Sequence, residues 1–182
     1  CDRYGLSAMP IREALQQLQG EGIVVMVPNK GASVRPINPK FIMDIHEVRM
    51  ALYPLIYRDA IGTADAVLDK SLLQIQKRFD LLMKRGDFKG CYEQNYALHT
   101  AIHSRCKNNE VAAVIGRYRN LTQSLRDVLG IDIVRLEQIS REHWVILEAF
   151  LARDVDKVTA AAQDHSAQAL ENMLRHLQGK AE

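Results

Sequence analysis

Three stretches of helical period each place a histidine among apolar residues. Cys91, Asn95, Leu98, Ile102 and Cys106 recur at i, i+4, i+7, i+11 and i+15, and His99 follows Asn95 by one turn on the same inward face. Leu136, Ile139, His143, Ile146 and Phe150 form a second stripe, and Val158, Ala162, His165, Ala169 and Met173 a third. An imidazole taken out of water needs a hydrogen bond or a metal. Read singly, each histidine is a core residue with a polar partner. Read together, three imidazoles and the Asn95 amide suit a divalent transition metal, zinc or nickel, with open positions left for a ligand. No His-Glu-x-x-His is present, because Thr100 follows His99. His103 lies four residues beyond His99, which rotates it about 40° around the helix toward the surface or rim. His46 and His176 have no companions and are expected at the surface or in pairs.

Arg49 stands beside Ile45, Leu52 and Ile56. A guanidinium near a core face either forms an internal ion pair or clamps the carboxylate of a small metabolite. Tyr118, on a stripe with Val111, Val114, Leu121 and Leu125, is expected on the wall of the same cavity or in plain core. A metal-dependent hydrolase or lyase on the three histidines would need a general base near the metal. No acidic residue lies on the inward stripes, and no nucleophile–base pair is apparent, so the expectation is a binding site without catalysis.

The elements that position these residues fall into two regions. In residues 1–36, Ser7 is a plausible N-cap with Pro10 in the first turn, and Ile11, Leu15 and Leu18 share a helical face up to Gly20 and Gly22. Ile23, Val25 and Val27 then alternate, Pro28-Asn29-Lys30-Gly31 reads as a tight turn, and Ala32-Ser33-Val34 as a second strand. Pro36, Asn38 and Pro39 form a linker. Residues 37–182 predict six helices, near 39–61, 64–85, 87–106, 109–129, 132–152 and 154–178, with short loops that favour antiparallel packing of successive helices. The fold class is therefore predominantly all-α, a helix plus hairpin followed by a helical bundle.

Composition narrows the function classes. The chain has 182 residues, 47 % hydrophobic and 25 % charged, which excludes compositional disorder. Three cysteines, at 1, 91 and 106, do not make a disulfide framework and suggest reduced thiols in a cytoplasm. No apolar run approaches the ~20 residues that cross a bilayer. The net charge of +2 gives no bulk attraction to nucleic acid, so DNA binding would have to come from a local motif. The chain opens at Cys1-Asp2-Arg3 without Met, as though cut.

Such a motif is present. Tyr4-Gly5-Leu6-Ser7-Ala8-Met9-Pro10-Ile11-Arg12-Glu13-Ala14-Leu15, then Leu18, Glu21-Gly22, Pro28-Asn29-Lys30-Gly31 and Val34, resemble the end of the winged helix-turn-helix of GntR-type bacterial transcription regulators. Ile45-x-Glu47-Val48-Arg49-x-x-Leu52, Asn95-x-x-Leu98-His99, Asn108-Asn109, Glu142-His143-x-x-Ile146-Leu147-Glu148-Ala149, Arg153-Asp154 and His165 resemble the FadR-type subgroup with its all-helical effector-binding (FCD) domain. The resemblance implies a dimeric regulator, most simply a repressor, that reads a pseudo-palindromic operator and senses a small carboxylate metabolite. It implies that Ser7, Met9, Arg12 and Gln16 of the recognition helix face DNA, with Lys30-Gly31 at the wing tip. By the same resemblance Cys1–Gly5 is the tail of a second helix, and the first helix and most of the second are absent. Where the family usually has Arg-Thr after the serine, this chain has Ala8-Met9, which changes the groups available for base contacts. A helical ligand-binding module that has lost DNA binding is the alternative. The family's metal ligands, an Asp or Asn and three His, fall on Asn95, His99, His143 and His165. Asn in place of Asp leaves the site neutral and the metal more weakly held. Arg49 matches the arginine that meets the effector's carboxylate.

Overall fold

The computed structural model describes residues 5, 7–129 and 133–178, with side chains described for all of these except 124 and 126–129. The expected break at Gly130-Ile131-Asp132, and Cys1–Tyr4 and Leu6 of the amino-terminal motif, lie outside the described residues.

Helix α1, Ala8–Gly20, starts from Ser7 in extended backbone, although the Ser7 side chain makes no capping bond. It ends where Gly22 turns left-handed at φ 80°, a conformation that suits glycine. Strands β1 (Val24–Val27) and β2 (Gly31–Val34) pair antiparallel, Val24 opposite Val34 and Val27 opposite Gly31. Pro28 presets the turn, Asn29 takes φ 60°, and the Lys30 N–H donates to the Val27 carbonyl at 3.0 Å. The buried strand residue is Val24, whereas the alternation led by Ile23 pointed to the other phase; Ile23 is exposed. Arg35 locks the base of the hairpin, with its N–H on the Ile23 carbonyl and its Nε on the Gly22 carbonyl.

Six long helices follow: α2 Pro39–Gly62, α3 Ala66–Lys84, α4 Phe88–His103, α5 Asn109–Leu129, α6 Ile133–Leu151 and α7 Val155–Gln178. Five of the starts are capped by side chains that accept otherwise orphaned backbone N–H groups: Asn38 from Phe41, Asp65 from Leu68, Asp87 from Gly90, Asn108 from Val111 and Asp154 from Lys157. Pairing of successive helices holds for α3 with α4 and α6 with α7. Helix α2, however, packs on α7, α4 and α5, and α3 packs on α6. Short loops fix which helix ends are close, but the apolar stripes decide which faces meet. Helix α4 ends at His103, so Cys106 leaves the predicted stripe and its thiol points at the Asp59 carboxylate instead.

One core joins Tyr53, Ile56 and Tyr57 of α2, Leu72 of α3, Leu98 and Ile102 of α4, Ile115 of α5, Ile146 and Phe150 of α6, and Val158 and Ala162 of α7. A second joins Phe79 and Leu82 of α3 to Cys91, Leu136 and Ile139. The histidines lie between the two: the His143 ring meets Phe79 edge-on at 5.6 Å, and His103 meets Tyr53 at 6.0 Å. No helix among the described residues is long and apolar enough to cross a membrane.

Candidate functional site: a histidine cluster in the bundle

Helices α4, α6 and α7 bring His99, His143 and His165 together, with one ring nitrogen from each within 4.8 Å of the others. The ring centroids are 5.0–5.3 Å apart. His99 Nε2 lies 3.2 Å from His165 Nε2, a contact that accommodates a single shared proton. The Nδ1 atoms of His165 and His143 face outward to fixed partners. His165 Nδ1 donates to Glu142 Oε2 at 2.6 Å. His143 Nδ1 meets Gln76 Oε1 at 2.9 Å. The Gln76 amide has one permitted orientation, because its Nε2 donates to Asp80 Oδ1 at 2.9 Å. Its carbonyl therefore faces His143, which must carry its proton on Nδ1. Both histidines are thus held as the tautomer whose Nε2 lone pair faces the cluster, the arrangement that outer hydrogen bonds impose on metal ligands.

Asn95 comes one turn before His99. Its Oδ1 is buried and has no hydrogen-bond partner. A buried amide oxygen left unpaired costs free energy, and a cation at the cluster would satisfy it. The donor set of three imidazoles and one amide oxygen fits a borderline-soft divalent ion. Burial first, then the neighbouring His165, His143, His103 and Arg49, hold the His99 imidazole well below its ordinary range, so it is neutral and able to ligate at pH 7.

Glu142 is a residue that the inward stripes did not disclose. It adjoins His143 in sequence, yet its side chain reaches back behind His165. Arg135, itself buried, clamps both of its oxygens at 2.6 and 2.8 Å. Burial alone pushes the Glu142 carboxyl up, but the hydrogen bonds from His165 and Arg135 outweigh it and hold the group below the usual carboxylate range. So an acid does stand beside the cluster, although it lies off the inward stripes. With both oxygens engaged by a guanidinium and a histidine it orients rather than acts as a free base.

His103 corrects a second expectation. It is buried, not at the rim. Helix α2 lays Tyr53 and Tyr57 over the last turn of α4 and covers it. The rotation of the stripe was right for α4 alone but took no account of this second neighbour. Burial, then Arg49 and Arg119, push the His103 imidazole down to about 3. His46 is half-buried, with Ser166 Oγ 3.3 Å from its Nδ1.

A cavity of about 20 Å³, room for roughly one water, adjoins the cluster. Arg49, Asn95, Tyr96, His99, His103, Arg119, Thr122 and His165 are among the residues that line it. Arg49 reaches it from α2 and hydrogen-bonds the Tyr53 hydroxyl at 2.6 Å. Tyr118 is not among its lining residues. Its ring lies under Arg117, 5.0 Å away, while the next residue along α5, Arg119, faces the cavity. In the amino-terminal region Ser7, Met9, Arg12, Gln16, Lys30 and Gly31 are all exposed.

Residues 44–178 match the FCD domain family, and residues 1–34 match the gntR family of bacterial regulatory proteins. The chain belongs to the GntR family and carries an FCD domain. It is a transcriptional regulator, not an enzyme, in keeping with the names of its relatives. Over 175 residues it is 28 % identical to the HTH-type transcriptional repressor GlaR of Escherichia coli (strain K12), covering 90 % of this chain and 78 % of that protein. Over 169 residues it is 22 % identical to the HTH-type transcriptional regulator BphR of Paraburkholderia xenovorans (strain LB400), covering 90 % and 69 %. In fold, this FCD regulator is similar to E. coli McbR/YncC, with a TM-score of 0.79 at 17 % identity over 93 % of this chain and 86 % of the other. It is also similar to a metal-free FCD domain of the regulator TM0439, with a TM-score of 0.64 at 17 % identity over 80 % and 99 %.

Proposed function

We propose that this GntR regulator is a cytoplasmic, homodimeric repressor of the FadR type whose DNA binding responds to a small carboxylate metabolite held in its FCD domain. The observation that carries the reading is the convergence of three imidazole nitrogens beside the unpaired Asn95 oxygen. His99, His143, His165 and Asn95 would hold a divalent metal, zinc or nickel. Such an ion supplies Lewis-acid positions for the oxygens of a carboxylate. The Arg49 guanidinium, anchored on Tyr53, supplies counter-charge at the cavity wall. Tyr118 is not among the residues that line this cavity, so Arg49 is the effector contact proposed here.

The unit 1–36 is the DNA-binding part, and 37–182 binds effector and dimerises. Helix α1 presents Ser7, Met9, Arg12 and Gln16 to the major groove, and Lys30-Gly31 form the wing tip. Ser7, Met9, Arg12 and Gln16 are all exposed, which supports this reading. The repressor reading is supported by the name of the E. coli relative. A ligand with different affinities for two arrangements of the dimer would shift the spacing of two such heads.

Selection of duplexes from a random DNA library, with and without zinc and a carboxylate panel, tests this reading. An inverted repeat with half-sites about one helical turn apart, whose retention changes with ligand, is the expected outcome. Ligand binding with no enriched repeat would instead make the chain a helical binding module without DNA recognition.

A further inference from the structure

Behind His143 the hydrogen bonds run on to the surface of the bundle. His143 Nδ1 meets Gln76 Oε1 at 2.9 Å. Gln76 is fully buried, and its Nε2 donates to Oδ1 of Asp80, one turn further along α3. From α6 the Ser140 hydroxyl donates to the same oxygen at 2.6 Å. The other oxygen, Asp80 Oδ2, accepts the indole N–H of Trp144 at 3.0 Å. Trp144 is the single tryptophan of the chain, and it is exposed. Trp144, Asp80, Gln76 and His143 thus form a line from solvent to the cluster.

The members of this line differ in whether they can reverse. A hydroxyl donates or accepts by rotating, an amide can turn end for end, and a neutral imidazole can carry its proton on either nitrogen. An indole N–H only donates, and a carboxylate only accepts. Asp80, accepting on both oxygens, makes Gln76 point its amide nitrogen outward and its carbonyl at His143. That carbonyl in turn draws the imidazole proton to Nδ1. A reversed Gln76 would set its amide nitrogen against Nδ1, and the proton would move to Nε2. An imidazole protonated on the nitrogen that faces a metal cannot bind it.

We infer that Asp80 is a positioning residue for the histidine cluster, fixing the tautomer of His143 through Gln76. The inference rests on the metal reading of the cluster for its consequence, but the tautomer itself can be read without metal.

Proton–nitrogen correlation spectra of the metal-free full chain, labelled at histidine and held at mildly alkaline pH, report which nitrogen of His143 is protonated. Loss of the signals in His143→Gln assigns them. Competition with a chromogenic chelator reports zinc affinity. Wild type should carry the proton on Nδ1. Asp80→Asn keeps the shape but exchanges one acceptor for a donor. Trp144, which can only donate, holds the new amide's oxygen on its own side, so the amide nitrogen faces Gln76 and reverses it. The proton of His143 should move to Nε2, and zinc binding should weaken roughly tenfold or more. Adding Trp144→Phe frees the new amide to turn its oxygen back to Gln76. The double variant should therefore regain the proton on Nδ1 and most of the zinc affinity, while Trp144→Phe alone should change neither. If Asp80 were merely structural, a second lost hydrogen bond would deepen the damage of the first. A proton that stays on Nδ1 in Asp80→Asn, or a double variant no better than Asp80→Asn, would overturn the inference. Tautomers that switch as stated in a chain that takes up no zinc would uphold it and overturn the metal reading instead.

Discussion

Among the described residues, the amino-terminal region and the helical bundle bury their apolar residues to different extents. Helix α1 buries none of its residues, and the hairpin buries only Val24, while α2 to α7 enclose Tyr53, Tyr57, Leu72, Leu98, Ile146 and Phe150 almost completely. The first region takes its shape from local signals: Pro10, Gly22, and the Pro28–Gly31 turn. The bundle takes its shape from packing, and only there can polar groups be held far from water.

The comparison breaks first in stability. Removing Arg135 takes the two-pronged partner from the half-buried Glu142 and leaves it only His165, so Arg135→Ala should cost about 3–5 kcal/mol in urea unfolding. Leu98→Ala, in the packed core, should cost about 2–5 kcal/mol. The same change at Leu15 in α1, half-buried, should cost well under that range. Equal losses at Leu98 and Leu15 would mean that the first region has a core of its own.

Much of this division was legible in the sequence. The six helices begin and end within a few residues of their predicted limits, and the structure shows five of them starting at the capping residues Asn38, Asp65, Asp87, Asn108 and Asp154. The three histidines were legible because each interrupts an apolar stripe. Gln76, Glu142 and Arg135 were not. Their roles depend on which helix lies opposite, and that is settled by packing between α3, α6 and α7. His103 was misplaced for the same reason, since α2 and not α4 buries it. Arg119 was overlooked in favour of its neighbour Tyr118, because an aromatic fits a stripe better than a guanidinium does.

The outer hydrogen bonds sharpen the contrast at the next level. Gln76→Leu removes the acceptor for His143 Nδ1 and should weaken zinc binding about 10–100-fold, read by competition with a chromogenic chelator. No position in the first region should affect that measurement.

Acid should act on the bundle selectively. The His103 imidazole is held at about 3 in the fold against 6.5 in the unfolded chain. Below pH 6.5 the unfolded chain binds the extra proton, so stability is full above that pH and is lost as pH falls toward about 3. One such group gives a slope of about 1.4 kcal/mol per pH unit between those limits. His103→Phe should flatten the pH dependence of the metal-free melting temperature; an unchanged profile would deny His103 that role.

The smallest effect concerns the caps. Asn38→Ala should cost about 1 kcal/mol, while Ser7→Ala, whose hydroxyl makes no capping bond, should cost less than about 0.5 kcal/mol.

The measurement that bears most directly on the account is metal content by elemental analysis of the purified chain, repeated on His143→Ala. The account predicts about one transition metal per chain, lost in the variant. Absence of metal in wild type even after reconstitution with zinc and nickel salts would contradict it, and the three histidines would then be hydrogen-bonding groups of a metal-free pocket.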